Sequence, residues 1–322
     1  MTCTFPVREQ SLCGPGPPGR VTPVSYYGPD PAFDPHRPRR SRRVPLIAVA
    51  VLAVGATAGW GVYAAVGDSG SKSAAPRTTA DGRPAASAAS SATPTPSSRP
   101  LQGKVVVLDP GHNPTNYRHT AEINRQVNIG TNAKECDTTG TATNSGYAEA
   151  AFTLDVARRA RVLLQQAGAT VKLTQNGDRA WGPCVDERAR IGNTAHADAA
   201  ISIHADGAPE GDRGFHVILP GAVHAGAADT RAIVAPSRAL GTSVEHAFAR
   251  ATGTAPSNYV GGGTGLDVRT DLGGLNLSTV PKVFIECGNM RDTKDAALLT
   301  SGAWRERAAV GISEGIVSFL RG

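Results

Sequence analysis

Residues 104–114, KVVVLDPGHNP, decide how the chain is expected to fold. A run of β-branched and apolar residues that ends in Asp-Pro-Gly predicts a buried strand followed by a turn, and His112 comes directly after that turn. Three more apolar runs of strand length come later in the chain. They are TVKLTQ at 170–175, AAISIHA at 199–205 and KVFIECG at 282–288.

Helical patterns alternate with these runs. Apolar residues recur at helical spacing, and the first such segment ends in Gly168, a typical residue at a helix C-terminus. The three segments are 148–168, 237–253 and 303–322. Strands that alternate with helices predict an α/β fold.

Four side chains suited to metal binding and acid–base chemistry lie on these elements. His112 and His204 come at or just after strand ends, Glu286 lies in the last apolar run, and Glu149 opens the first helical segment. In α/β sheets, chemistry gathers beyond the carboxyl ends of strands. Two imidazoles and one carboxylate are a common ligand set for catalytic Zn²⁺, and a separate carboxylate can take a proton from water. The residues therefore predict a hydrolytic zinc site.

The identity of the carboxylate ligand is open from the residues alone. A Glu in the first turn of a helix also interacts favourably with the helix dipole, which is a structural role. Glu122 and Glu135 precede Glu149 and compete with it for the position at the metal.

A family resemblance rests on these motifs in their order along the chain. DPGH at 109–112, the helix-opening Glu149, SIHA at 202–205 and IECGNM at 285–290 resemble the zinc-dependent N-acetylmuramoyl-L-alanine amidases of the Amidase_3 family. The stretches 186–206 and 266–290 resemble the family as well, so the similarity covers nearly all of the predicted domain.

The resemblance implies a single α/β domain with a mixed, mostly parallel sheet flanked by helices. It also implies hydrolysis, in peptidoglycan, of the amide that joins the lactyl group of N-acetylmuramic acid to L-alanine. His112, Glu149 and His204 match the family's zinc ligands, and Glu286 matches its catalytic carboxylate. A non-catalytic peptidoglycan-binding module and a zinc peptidase of different specificity are the alternatives.

The chain departs from the family pattern in two places. Many members have DPGHGG where this chain has DPGHNP, which alters the loop after His112. Some members carry an inserted helix that plugs the zinc site, and no such helix is evident between His216 and Glu286, which predicts an open site. Arg269 is a candidate contact for carboxylates of the stem peptide, with a plain salt bridge as the alternative.

The remaining histidines lack comparable neighbours in the sequence. They are interpreted as structural or solvent-exposed. They include His119, His196, His216, His224 and His246.

Cysteine positions predict one disulfide. Cys136 and Cys184 both lie in loops rich in turn-forming residues and are expected to pair outside the cell, where disulfides persist. Cys287 is then expected to be buried and reduced. A nucleophilic role for its thiol is disfavoured, because a buried strand position offers nothing to ionise it.

The basic charge of the chain is confined to its N-terminus. Residues 1–100 contain 11 Lys and Arg against 5 Asp and Glu, whereas residues 101–322 contain 22 of each kind. The region that carries the motifs therefore has no excess of basic residues, which argues against binding to nucleic acid.

The N-terminal hundred residues predict a membrane anchor. Residues 44–66 are uncharged and long enough to cross a hydrocarbon core of about 30 Å. The five arginines of RPRRSRR at 37–43 predict a cytoplasmic N-terminus and an extracytoplasmic catalytic domain. A cleaved signal peptide is the alternative, but the long apolar run and the long preceding tail favour a single-pass anchor.

The predicted organisation of the chain has four parts. Residues 1–43 form a cytoplasmic tail too poor in apolar residues to fold, 44–66 the transmembrane helix, 67–100 a Ser/Ala/Pro-rich linker and 101–322 the zinc amidase domain. Peptidoglycan and the membrane are the predicted partners, and the sequence does not identify any protein partner.

Overall fold

The computed structural model describes residues 99–322. The predicted tail, the transmembrane helix and nearly all of the linker lie outside the described residues. Within 99–322, none of the helices is both long and apolar enough to cross a membrane.

Strands and helices alternate along the described chain, as the pattern predicted. The strands are β1 Val105–Pro110, β2 Gln126–Asn128, β3 Ala133–Glu135, β4 Thr170–Leu173, β5 Ala199–Asp206, β6 His216–Pro220, β7 His224–Ala225, β8 Ala228–Asp229, β9 Leu266–Arg269 and β10 Lys282–Asn289. The helices are α1 Thr120–Ile123, α2 Glu149–Gln166, α3 Val185–Thr194, α4 Val234–Thr252, α5 Gly273–Asn276, α6 Thr293–Leu299 and α7 Gly302–Arg321. Two short 3-10 helices lie at Asn116–Arg118 and Gly261–Gly263.

Six strands form the central sheet in the order β4-β1-β5-β10-β6-β9. Every neighbouring pair is parallel except β10 and β6, which are antiparallel. The predicted mixed, mostly parallel sheet is therefore confirmed. The four predicted strands are β1, β4, β5 and β10, and the three predicted helices are α2, α4 and α7. Two strands of the sheet, β6 and β9, and helix α3 were not predicted.

The main apolar core lies on one face of the sheet, under α2, α4 and α7. Alternate residues of the strands point into it, because neighbouring strand positions face opposite sides. The largest fully buried side chains in it are aromatic and come from the helices and the start of β6. They are Phe152, Phe215, Phe248 and Trp304.

Helices α4 and α7 approach each other closely through glycines. A Cβ atom on Gly315 would lie 2.5 Å from the Cα of Val244, and one on Gly311 would lie 2.8 Å from the Cα of Phe248. Real Cβ atoms do not come this near to backbone atoms. The glycines therefore set the distance between the two helices.

The Gly315→Ala variant tests this close approach. We expect the added methyl group to push α7 away from α4 and to lower the free energy of unfolding by about 1–3 kcal/mol. Gly302→Ala in the same helix is the control, because the nearest atom to its Cβ would be 3.9 Å away. Urea unfolding measures both variants, and equal stability of the two would contradict the packing argument.

Candidate active site

The turn after β1 places His112 beside His204. Gly111 has room for no side chain, since a Cβ there would lie 2.3 Å from Cε1 of His204. His112 follows with a φ of 59°, a left-handed conformation that non-glycine residues seldom adopt. Its Nδ1 lies 3.1 Å from the carbonyl oxygen of Thr138. When Nδ1 carries the proton and donates to that oxygen, Nε2 is free to act as a ligand.

Glu149 is the first residue of α2 and joins the two histidines. Its Oε1 lies 2.9 Å from Nδ1 of His204, and its Oε2 lies 3.1 Å from Nε2 of His112. The backbone N–H groups of Thr141 and Ala205 donate to the same carboxylate. The N-terminal position on the helix further favours a negative charge there.

The three side chains form a candidate metal centre. One donor atom from each of His112, Glu149 and His204 lies within 4.8 Å of the other two, and all three residues are largely buried. Burial disfavours the charged form of His112, but the carboxylates of Glu149 and Asp137 overcome this and raise its pKa well above the ordinary value. The surroundings of the triad thus favour positive charge.

The structure separates Glu149 from its two competitors. Glu122 is exposed and pairs with His119 on the surface, at 3.3 Å. Glu135 is exposed on β3. In the described residues, the group that meets the geometry of a metal site contains Glu149 and neither of the others.

Glu286 lies next to the triad on β10. It is the register partner of His204 on β5, so the two side chains share a face of the sheet. Its Oε2 atom is buried and has no hydrogen-bond partner among residues 99–322. Burial and, next, the negative charges of Asp206 and Glu149 raise the pKa of Glu286 well above the ordinary value.

A buried network of charges supports His112 from behind. Asp137 lies 3.4 Å from its Nδ1, and Arg188 donates to Asp137 at 2.9 Å and to Asp109 at 2.8 Å. Lys282 Nζ completes the network, 3.1 Å from Asp109.

Burial raises the pKa of Asp109, yet Lys282 and Arg188 outweigh it and hold this pKa far below the ordinary range. Burial likewise opposes ionisation of Asp137, but Arg188 and then His112 lower its pKa to about 2. Both aspartates are therefore charged and paired at neutral pH.

Sequence reasoning did not identify this network. The available signal was the presence of charged residues at the ends of apolar runs, Asp109 in KVVVLD and Lys282 in KVFIECG, because buried charges need partners.

The predicted disulfide is confirmed and lies beside the network. Cys136 and Cys184 are bonded to each other, and the N–H of Val185 donates to the carbonyl of Cys136 at 2.7 Å. The bond joins the loop that carries Asp137 to the start of α3, which carries Arg188. Cys287 is buried and unpaired, as predicted, and burial raises the pKa of its thiol well above the ordinary value.

The structure gives the surroundings of two other residues that the sequence singled out, Arg269 and His216. Arg269 makes a two-bond ion pair with Asp271, at 2.8 and 2.6 Å, which is the salt bridge given as the alternative to substrate contact. His216 was interpreted as structural or solvent-exposed, and the structure places it in a buried position as the register partner of Glu286 on β6. Its position opposite Glu286 was not predicted, because β6 and its antiparallel pairing with β10 were not predicted.

The chain between His216 and Glu286 does contain a long helix, α4. It packs against α7 on the apolar face of the sheet, whereas the metal centre lies on the opposite face. The open site stays a prediction.

Comparisons with known proteins agree with the geometry of the site. Residues 106–318 match the family Amidase_3, described as N-acetylmuramoyl-L-alanine amidase. A curated relative, an N-acetylmuramoyl-L-alanine amidase of Mycobacterium tuberculosis, is 40% identical over 232 residues, which cover 72% of this chain and 91% of the relative.

Two solved structures are also similar. The N-acetylmuramyl-L-alanine amidase of Mycobacterium smegmatis is 41% identical with a TM-score of 0.62, over 68% of this chain and 98% of that chain. The apo form of the corresponding amidase of Mycobacterium abscessus is 40% identical with a TM-score of 0.62, over 68% of this chain and all of the other.

Replacement of Arg188 tests the buried network. Arg188→Met leaves Asp109 and Asp137 without their shared cation, and we expect it to lower the free energy of unfolding by about 3–5 kcal/mol. Arg190→Met, two residues away on the same helix, is the control because its side chain is 70% exposed. Denaturant unfolding of both variants gives the comparison. Similar small losses in the two would show that the network contributes little.

Paired glutamine substitutions test the assignment of the carboxylate ligand. Glu149→Gln keeps the size of the side chain but removes the charge, so we expect the purified variant to lose its metal on dialysis. Glu135→Gln is expected to retain metal like the unmodified chain. Elemental analysis measures both, and metal loss in Glu135→Gln alone would reverse the assignment.

Proposed function

The chain belongs to the N-acetylmuramoyl-L-alanine amidase family and is an enzyme that hydrolyses an amide of peptidoglycan, and we propose that it uses Zn²⁺ and Glu286 to do so. The observation that carries the proposal is the proximity of His112, Glu149 and His204, with Glu286 on the strand next to that of His204. The bond cleaved joins N-acetylmuramic acid to L-alanine. Membership of the family favours this over a non-catalytic module or a peptidase of other specificity.

The donor set fits zinc. Two imidazole nitrogens and a carboxylate oxygen are typical catalytic zinc ligands. One such atom from each of His112, Glu149 and His204 lies within 4.8 Å of the other two, so these three residues would hold the ion. When bound, the ion supplies a Lewis acid for the scissile carbonyl and lowers the pKa of water to about 7.

Glu286 is proposed to move the proton. A carboxylate whose pKa is raised by burial is a stronger base than an exposed one, and its efficiency increases as that pKa approaches the working pH. Glu286 takes a proton from the attacking water while the water oxygen bonds to the carbonyl carbon. The same carboxyl group then protonates the nitrogen as the C–N bond breaks. The products are the lactyl carboxylate on the sugar and a stem peptide with a free L-alanine amine.

Arg269 is proposed as a contact for the stem peptide. Its guanidinium is paired with Asp271 and its side chain is 18% exposed. The positive charge of Arg269 partly opposes the rise in the pKa of Glu286, so the two groups are near enough to interact. A stem carboxylate bound here would share the guanidinium with Asp271.

The N-terminal residues support a location at the cell surface. Residues 44–66 are proposed to anchor the enzyme in the membrane once, with the N-terminus in the cytoplasm and the catalytic domain outside. Residues 67–100 are proposed as the flexible spacer between the two. A signal peptide cleaved near Ala64 and Ala65 is the alternative outcome, and the N-terminal sequence of the mature protein distinguishes it.

Digestion of purified muropeptides by the full chain tests the reaction. We expect release of an intact stem peptide that begins with L-alanine, loss of activity with a chelator and recovery with Zn²⁺. Glu286→Gln is expected to lower kcat by about 10²–10⁴-fold because the proton acceptor is gone. Glu135→Gln, an exposed glutamate, is the control and is expected to keep full activity.

The products separate the alternatives. Cleavage within the stem peptide, identified by mass, would make the enzyme a peptidase. Muropeptide binding by metal-loaded chain without cleavage would make it a binding module. Full activity in Glu286→Gln would remove Glu286 from the mechanism.

A further inference from the structure

Two buried polar atoms face the same side of the sheet on directly opposed residues. Glu286 on β10 and His216 on β6 are register partners in the antiparallel pair. Oε2 of Glu286 and Nδ1 of His216 are each buried, and neither has a hydrogen-bond partner within the described part of the chain. Opposed residues of this kind have Cβ atoms about 4.5–5.5 Å apart, which lets their side chains meet.

Such atoms are costly to the fold. A buried donor or acceptor without a partner destabilises a protein by about 1–3 kcal/mol, whereas an apolar side chain of similar shape avoids that cost. His216 is only 4% exposed, so bulk solvent does not reach the ring. An unsatisfied nitrogen and an unsatisfied carboxylate oxygen on register-partner residues point to a bond that forms during function.

The His216 ring packs against Tyr259 and lies among several charged groups. Its ring lies edge-on to Tyr259, with centroids 5.9 Å apart, and the Tyr259 hydroxyl donates to Asp206 at 2.8 Å. Asp206 and Asp267 favour a charged imidazole and Arg269 opposes it, but burial is the largest influence and lowers the pKa of His216. The ring is therefore neutral at neutral pH and carries a single N–H.

We propose that His216 is a positioning residue whose Nδ1–H donates a hydrogen bond to Oε2 of Glu286 and so directs Oε1 toward the His112–Glu149–His204 triad. One bond satisfies both buried atoms. The bond requires only side-chain rotation, and catalytic hydrogen bonds are often incomplete before substrate binds. Glu286 then holds one orientation in place of several, which is what precise proton transfer requires. The inference rests on the proposed role of Glu286 as proton acceptor.

Three substitutions separate a hydrogen bond at Nδ1 from packing. His216→Asn keeps an amide N–H near the position of Nδ1, His216→Gln places its amide near Nε2, and His216→Leu removes both groups. With muropeptide as substrate, we expect His216→Leu and His216→Gln to lower kcat by about 10- to 100-fold, the loss typical of supporting hydrogen bonds in metal sites. KM is expected to stay within about twofold, since the bond does not involve substrate. His216→Asn is expected to retain most of kcat.

Stability and metal content provide readouts that are independent of turnover. Since the imidazole is unsatisfied in the resting structure, His216→Leu is expected to unfold at the same temperature as the unmodified chain or a higher one, and to keep its zinc. Wild-type kcat in His216→Leu, or an equal loss in His216→Asn and His216→Leu, would overturn the inference. A change in KM alone or loss of zinc would overturn it too, because each assigns His216 to another role.

Histidine-selective ¹⁵N NMR of the full chain, recorded with the cleaved muropeptide products bound, tests the bond itself. We expect His216 to be protonated at Nδ1 and to change tautomer in Glu286→Ala, where the acceptor is missing. If Glu286→Gln is inactive but the tautomer of His216 does not change in Glu286→Ala, the positioning role of His216 is wrong while the role of Glu286 as proton acceptor stands. If Glu286→Gln is fully active, the proposed proton acceptor fails and the positioning role fails with it.

Discussion

The pairing of one buried carboxylate, Asp109, constrains the elements around the site. Asp109 is 1% exposed and accepts from Arg188, Lys282, Ser202 and Thr174. An ion removed from water costs several kcal/mol unless its partners are well placed. Those partners come from α3, β10, β5 and the end of β4, so the four elements must surround β1 for the carboxylate to be stable. This pairing is met by the observed sheet, in which β1 lies between β4 and β5 and β10 follows β5.

The same network extends to the metal centre. Arg188 bonds both Asp109 and Asp137, and it also donates to the backbone carbonyl of His112 at 3.1 Å. Asp137 and the Thr138 carbonyl in turn lie at Nδ1 of His112. The orientation of the imidazole thus follows from the folding of the domain, before any metal is considered. For the proposed role of His112 as a metal ligand, this means that the tautomer and direction of the ring are set by the protein itself.

The sequence predicted those site residues that lie in recognisable local motifs. His112, His204 and Glu286 lie at or near the ends of apolar runs, and a parallel sheet gathers such ends at one edge. Asp137, Arg188 and their contacts could not be derived in this way, because they depend on which distant segments become neighbours. Helix α3, VDERARIGNT, has few apolar residues, so its periodicity is weak. The position of His216 opposite Glu286 was not predicted for a related reason, since it arises only through the β6–β10 pairing.

The apolar face of the sheet determines where the reactive groups lie. His204, Glu286 and His216 are register partners across β5, β10 and β6. The residues directly before the first two, Ile203 and Ile285, are also partners and point into the main core. A shift of one residue in this pairing would bring the carboxylate into that core and the isoleucines to the site. The unfavourable burial of Glu286 is therefore maintained by apolar packing on the other side of its own strand, and the reaction geometry depends on the register which that packing makes most stable.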